Sequence, residues 1–348
     1  MAANGIRVAK EPLEGFTRAL FERVGVPPHD AATVAEVLVW ANLRGVDSHG
    51  MLRVPRYVQW VESGVINARP KLTIVRESPA ALVIDGDWCF GPVGLSFAAE
   101  RAIEKARGAG VGWVTLRRST HAAAVGFYTL KVAQAGMAGL YMGGSIPNMA
   151  YHGARAEGVG TNPIAIAVPG ETHAPLMLDM ATAVAAVGKL MYHQDANIPL
   201  PEGWALDEHG DPTTDPKRAE IPMPLGGPKG AGLALMFECM TSLLTGGPIL
   251  EPRLTGREKR HAQSGLIAAI DIAQFTDPAE YRRNVDALIA AIKSLPRAEG
   301  VDEILVPGEH GDAILRERTA NGIPLPAGTW KRLQETATRL GVAMPATL

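Results

Sequence analysis

The sequence predicts an α/β chain, α+β in the stricter sense, built around a mixed sheet, and three observations carry that prediction. The first 70 residues hold apolar side chains at helical spacing and little that alternates. From Lys71 onward, short apolar runs bounded by Gly, Pro and Asp alternate irregularly with helix-length segments, and this lacks the regular rhythm of a purely parallel sheet. Over 348 residues, 47% are hydrophobic and 20% charged, ordinary for a chain that buries a large core. The expected organisation is a helical N-terminal region over 1–70, a mixed-sheet core over 71–320 and a C-terminal helical segment over 321–348, forming one integrated unit.

Taken in order, Glu11–Val24 reads as a helix with Phe16, Leu20 and Phe21 on one face. Pro27-Pro28 punctuates, Pro28 suiting an early helix position, and Asp30–Leu43 reads as a second helix, striped by Val34, Val37, Leu38 and Ala41. Leu52–Glu62 is a third, with Gly64 as its C-cap. Leu72–Val75 and Ala81–Ile84 read as strands about Ser78-Pro79, and Asp85-Gly86-Asp87 as a turn. Leu95–Arg107 reads as a helix and Trp113–Leu116 as a strand. The glycines between them follow a helix and precede a strand, the reverse of the dinucleotide fingerprint, so they are a C-cap. Thr120–Ala135 is expected to be helical, with His121 in its first turn. Strands are expected at Ala138–Met142, Ile164–Val168, Pro175–Met180, Leu266–Ile272 and Ile304–Pro307. Helices are expected at Thr182–Tyr192, Leu233–Leu244, Pro278–Ile292, Ala313–Thr319 and Trp330–Leu340. Gln194–Pro224, rich in Pro and acid, reads as a long surface excursion.

Net charge is −2 with no long basic run, so nucleic acid and acidic membrane surfaces are not expected partners. Two cysteines, Cys89 and Cys239, supply neither a disulfide framework nor a paired zinc motif, which suits a reducing compartment. Met1 to Lys10 lacks the apolar run of a signal peptide, and Ala231–Leu244, interrupted by Glu238, is too short to span a bilayer. A cytoplasmic protein is expected.

The densest chemistry lies in Gly45-Val46-Asp47-Ser48-His49-Gly50-Met51-Leu52-Arg53. If Gly50 opens a helix, His49 and Arg53 lie four apart on one face. A 2-oxo acid needs such a pair: an imidazole to exchange a proton near neutrality and a guanidinium to grip the carboxylate. The same stretch also suits a plain helix start capped by Asp47 or Ser48. Asp179 lies inside an apolar run, as either a paired structural charge or an acid/base partner. Lys229, in a glycine-rich turn before a helix, fits an anion cradle or a solvated turn, and it lacks phosphate-loop spacing. His49, His121, Asp179 and His310 lack metal-ligand spacing, so no metal is expected.

Several stretches in this order resemble the type-2 malate/lactate dehydrogenase family, also called sulfolactate-dehydrogenase-like. The markers are Arg44-Gly45-Val46-Asp47-Ser48-His49-Gly50, Ser119-Thr120-His121, Gly160-Thr161-Asn162-Pro163, Leu178-Asp179-Met180-Ala181-Thr182, Pro224-Leu225-Gly226-Gly227 and Pro307-Gly308-Glu309. The resemblance spans about Glu11 to Gly322. It implies an NAD- or NADP-dependent oxidoreductase of small 2-oxo or 2-hydroxy acids, or of cyclic imino acids, with a fold unlike the usual dinucleotide-binding one. It also implies a homodimer with sites at the interface. By position, His49 and His121 are the candidate proton-transfer residues, Ser48 orients His49, and Asp179 fixes the tautomer of the acting histidine. Arg53 holds the substrate carboxylate, with Thr161 and His152 as further substrate contacts. Ser145, Asp179, Met180, Ala181, Lys229, Gly308, Glu309 and His310 line the cofactor. The chain departs from the family pattern at Ala123, where glycine is usual, and at Tyr151-His152-Gly153-Ala154, Pro228 and Ala231. A ligand-binding relative without catalysis and a metal-assisted lyase or hydrolase are the competing readings.

Overall fold

In the computed structural model the described residues are 6–185, 187–246 and 262–348; the N-terminal expectation for residues 1–5 lies outside them. The first strand, β1 (Ile6–Val8), leads into helices α1 (Lys10–Arg23), α2 (Pro28–Leu43) and α3 (Val54–Glu62). Strands β2 (Thr73–Glu77) and β3 (Ala81–Cys89) follow, then α4 (Gly91–Ala109), β4 (Val111–Ser119), α5 (Gly126–Gln134) and β5 (Ala138–Ser145). A small pair, β6 (Met149–Ala150) and β7 (Glu157–Val159), precedes β8 (Ile164–Val168), β9 (Leu176–Met180) and α6 (Val187–Ala196). Strands β10 (Ala205–Leu206), β11 (Pro212–Thr213) and β12 (Ile221–Pro222) form their own three-stranded sheet before α7 (Pro228–Glu238). The chain closes with β13 (Gln263–Ile270), α8 (Pro278–Lys293), α9 (Glu309–Asn321), β14 (Ile323–Leu325) and α10 (Ala327–Leu340).

The main sheet has seven strands in the order β2-β3-β4-β13-β5-β8-β9. Only β3 and β4 run parallel, joined by the α4 crossover that a parallel pair requires. Every other pairing is antiparallel. Register places the site. Gln263 lies opposite both Ser119 of β4 and Ser145 of β5, and Ile164 lies opposite both Met142 and Met180. Residues far apart in sequence thereby meet at one end of the sheet.

One apolar core joins the helical ends to the sheet. Leu13, Leu20, Leu38, Ile84, Val114, Tyr128, Leu325 and Leu333 all belong to it and are buried. Burying such side chains is worth roughly 1.5–3 kcal/mol each, so the first and last segments are integral to the fold. On the sheet face bearing Leu140, Ile166 and Leu178, α7 and the π-helical turn Cys239–Leu243 cover only part of the surface. Ile166, Leu178, Leu233 and Met236 remain exposed there. Among the described residues no helix is long and apolar enough to cross a membrane.

The structure corrects several expectations. Thr120–Ala135 is helical only from Gly126, because the Ala122 carbonyl accepts from the Tyr128 hydroxyl and the Ala122 N–H donates to Gln263, holding His121–Ala124 in an irregular path with Ala123 left-handed (φ 58°). Thr182–Val184 is tied to the segment before α7 through Val184–Met223 and Leu225–Thr182 backbone bonds, so α6 starts at Val187. Gly50 opens no helix; it separates two 3₁₀ turns, Asp47–His49 and Met51–Arg53. Asp85-Gly86-Asp87 is not a turn but lies within β3, where left-handed Asp87 and Trp88 (φ 51° and 62°) make an irregularity. Ile304–Pro307 is not a strand; the Pro307 carbonyl accepts from the Met177 N–H of β9. The Gln194–Pro224 excursion carries the small sheet, organised on buried Asp207, which accepts from the His209 and Asp211 backbone and pairs with Arg218.

Candidate active site

The Gly45–Arg53 stretch is fastened from below. Asn42, at the end of α2, donates to Asp47 and accepts from the Met51 N–H at 2.7 Å. Arg318 of α9 grips Asp47 with two nitrogens, at 2.6 and 3.0 Å. Gly50 is required by close approach: a Cβ there would lie 2.0 Å from Asn42 Oδ1. Asp47 is thus a tether that presents its neighbours. Ser48 Oγ lies 2.9 Å from His49 Nδ1, and Arg53 Nε donates to the Ser48 carbonyl at 2.7 Å. Among the described residues Arg53 has no carboxylate partner.

His121 arrives from the irregular segment after β4. Its ring stacks on that of His49, with centroids 5.3 Å apart and planes 20° from parallel. The Tyr57 hydroxyl, from α3, lies 2.6 Å from His121 Nδ1. Two imidazolium ions at stacking distance would repel each other. Burial, reinforced by the nearby Arg53 cation, lowers His49 from its ordinary 6.5 to about 3, although the residue keeps some exposure. His49 is therefore neutral at neutral pH. Burial also lowers Arg53 and raises the Tyr57 phenol.

Asp179 ends β9. Its Oδ2 accepts from the Gly126 N–H at 2.7 Å and so caps α5. This corrects the expectation that it fixes a histidine tautomer; Tyr57 and Ser48 occupy those Nδ1 positions. Its side chain is open to the cavity, yet crowding on the other sides pushes the carboxyl up to about 6, against the pull of the Gly126 N–H and Arg44. On β5, the Ser145 N–H and hydroxyl both donate to Asn162 Oδ1, at 3.0 and 3.3 Å. Asn162 in turn donates to the Ala234 carbonyl at 2.9 Å, binding strand to helix.

These groups share one cavity of about 540 Å³, lined by Ser48, His49, Arg53, His121, Ser145, Thr161, Asp179, Met180, Ala181, Gly308 and His310. The remaining expected residues lie elsewhere. Lys229 is exposed at the start of α7, and His152 sits exposed against Gly227. Glu309 points behind the turn, pairing with Lys293 at 2.7 Å, accepting from the Val306 N–H and lining a separate hollow of about 210 Å³. Neither Lys229, His152 nor Glu309 lines the main cavity. Among the described residues no cluster of three or more His, Cys, Asp or Glu side chains is placed to hold a metal.

Sequence reasoning missed Tyr57, Arg44 and Gln263. Tyr57 is four residues after Arg53, the spacing that places two helical side chains on one face, and that was the available signal. Arg44 opened a marker stretch without a role. It pairs with Asp312, donates to the Gly308 carbonyl at 2.9 Å and lies over the Trp40 ring.

A family model described as malate/L-lactate dehydrogenase matches residues 8–334. The chain is 37% identical to the malate dehydrogenase of Pyrococcus horikoshii over 97% of both chains. The solved structure of that enzyme superposes with a TM-score of 0.90, covering 99% of this chain and 98% of that one. The chain is 39% identical to the L-sulfolactate dehydrogenase of Methanocaldococcus jannaschii, covering 93% of this chain and 94% of the relative. It is 31% identical to the ureidoglycolate dehydrogenase (NAD(+)) of Escherichia coli O157:H7, covering 92% and 93%. The chain belongs to the malate/L-lactate dehydrogenase family and is an oxidoreductase.

Proposed function

We propose that the protein interconverts a small 2-hydroxy acid and its 2-oxo acid with a nicotinamide dinucleotide. The observation that carries the reading is the single cavity that brings Arg53, lacking a carboxylate partner among the described residues, beside the stacked His49 and His121. Arg53 receives the substrate carboxylate in charge-assisted hydrogen bonds. That contact fixes the alcohol oxygen beside the imidazoles. In oxidation a neutral imidazole takes the hydroxyl proton; in reduction an imidazolium returns it, a contribution of about 10²–10⁴-fold. His49, kept neutral by burial and Arg53, is suited to hydrogen bonding, and His121 to carrying the proton.

The residues fit a dinucleotide. Helix α9 starts at the cavity wall with Gly308 as N-cap and no side-chain cap, an N-terminus suited to a pyrophosphate, with Arg44 fastening the turn from behind. A Cβ at Gly311 would lie 2.8 Å from the Arg44 guanidinium, so the close approach of that turn depends on glycine. Ala122, Met177, Met180 and Pro163 offer apolar wall for a flat ring. When bound, the nicotinamide supplies hydride exchange at the substrate carbon. NAD is the proposed partner, following the name of the ureidoglycolate relative, with NADPH as the comparison.

Two copies are proposed to pair through the exposed Ile166, Leu178, Leu233 and Met236 face. Met236→Glu then shifts the protein from dimer to monomer in light scattering. The cytoplasm is the proposed location, in keeping with the free Cys89 and Cys239. The decisive assay follows NADH and NADPH oxidation against a panel of 2-oxo acids and cyclic imines. Turnover of 2-oxo acids is expected. Turnover confined to imines replaces the alcohol reading, and none with either cofactor overturns it.

A further inference from the structure

Asn148, in the connection between β5 and β6, lines the cavity alongside Ser145 and Thr161. It is pinned twice. Its backbone N–H donates to the Val159 carbonyl at 3.0 Å, and its Oδ1 accepts from the Thr161 N–H at 2.9 Å. A peptide N–H can only donate, so the oxygen of the side-chain amide is the end turned to Thr161 and Nδ2 is the other. Nδ2 meets no acceptor among the described residues. The polar side-chain atoms buried without a partner are Ser96 Oγ, Arg101 Nε and Thr182 Oγ1, so Asn148 Nδ2 keeps accessible surface.

The charges on the same wall are already engaged. Five lining side chains can be cationic: Arg44, His49, Arg53, His121 and His310. Arg44 is taken by Asp312 and the Gly308 carbonyl. His310 stands in the first turn of α9, where the pyrophosphate is proposed. Arg53 and the stacked histidines face the substrate carboxylate and alcohol oxygen. Asp179 adds a carboxylate to the wall. A second anionic group on the substrate would therefore enter with no cation left for it among the described residues, and an uncompensated desolvated charge is costly. A neutral oxygen acceptor meets the Asn148 amide without that cost.

We propose that Asn148 selects the far end of the substrate, its Nδ2 donating to a neutral oxygen acceptor (a carbonyl, ester or hydroxyl oxygen) on a 2-hydroxy acid with a single carboxylate. The proposal rests on the 2-hydroxy acid reading. Arg53 takes the carboxylate and Asn148 the tail, so the substrate is held at both ends with its hydroxyl between them. Dicarboxylic and sulfonated hydroxy acids are poor substrates, because their second charge finds no partner. A hydroxy acid with an apolar tail is also poorer, because it strips water from Nδ2 and returns no acceptor. The amide discriminates because it cannot turn away. Val159 ends β7, and Thr161 follows it closely, so both tethers of Asn148 lie on one short stretch of backbone.

The test compares kcat/KM with NAD for malate, the methyl ester of malate at the carboxyl remote from its hydroxyl, and 2-hydroxybutyrate. The wild type prefers the ester to either of the others by about tenfold or more, the worth of one such hydrogen bond. Asn148→Asp keeps an acceptor for the Thr161 N–H and replaces the donor end with an acceptor oxygen, and the ratio of ester to 2-hydroxybutyrate then falls to one or below. A wild type that takes malate as well as the ester, or a ratio that Asn148→Asp leaves unchanged, overturns the proposal. If Asn148→Asp fails to fold, the wild-type ranking decides. A readout independent of turnover is the Asn148 side-chain amide signal in ¹H–¹⁵N spectra of the protein with NAD, identified by its loss in Asn148→Asp. The ester shifts it downfield and 2-hydroxybutyrate does not; no shift with the ester overturns the proposal. Turnover of none of these acids sinks the functional reading, and the amide signal then decides the role of Asn148 alone.

Discussion

Arg53→Gln removes the cation on which substrate recognition rests. The guanidinium is anchored through Nε to the Ser48 carbonyl at 2.7 Å, so its terminal nitrogens face the cavity in a fixed pose. Burial already disfavours its charge, and an arriving carboxylate relieves that cost. Losing one partner of such a desolvated pair costs about 2–5 kcal/mol. At 1.4 kcal/mol per decade this is about 30- to 4,000-fold in KM for the hydroxy acid. The assay compares the acid with its neutral amide at saturating NAD. The wild type prefers the acid, and in Arg53→Gln the preference collapses towards one. Stability is expected to fall by no more than about 1 kcal/mol, because the lost Ser48 bond is offset by removal of a buried cation. A KM shift for the acid below threefold, or an equal loss for acid and amide, would refute the carboxylate role of Arg53.

His49 is held at about 3 against an ordinary 6.5, so the folded state binds fewer protons than the unfolded state between those values. Its contribution to stability is complete above pH 6.5 and declines as the pH falls. Water in the cavity reduces the effect to about 1–2 kcal/mol, and His49→Gln flattens the difference between urea midpoints at pH 7.5 and 5. A double-mutant cycle of Arg318→Gln with Asp47→Asn is expected to give a coupling of about 1 kcal/mol, since Asp47 is partly solvated while Arg318 is mostly buried. Gly144→Ala drives a methyl to 2.4 Å from Thr241 Oγ1 and 2.9 Å from Glu238 Oε2, so thermal unfolding falls by several degrees, an overpacking cost of about 1–3 kcal/mol. An unchanged melting temperature would show that the π-helical turn yields freely.

The ends of the chain and the sheet were legible because periodicity reports burial. The stripes of α1 and α2 and the apolar runs of β8 and β13 point where expected. Sequence reasoning failed where tertiary bonds override local preference. His121–Ala124 has the composition of a helix but is held out of one by Gln263 and Tyr128, which lie far along the chain or beyond the turn. The short β1–β14 pair was invisible because three residues carry no period and their partners are at opposite ends. Within the cavity, residue types announced Arg53 and the histidines. Asp179 was misread because a lone carboxylate in an apolar run says nothing about which N–H it will meet. Lys229 and Glu309 show the same gap: a marker fixes a position in the chain but not the direction of its side chain.

Helix α9 begins at the cavity with Gly308 and His310, while its first and last turns engage Arg44 through Asp312 and Asp47 through Arg318. Two segments some 260 residues apart are therefore a single interchangeable part. Grafting the Gly45–Arg53 stretch from a relative, without the matching helix, would strand the Arg318 charge. Chimeras meant to transplant substrate preference must carry both pieces, joined by their ion pairs.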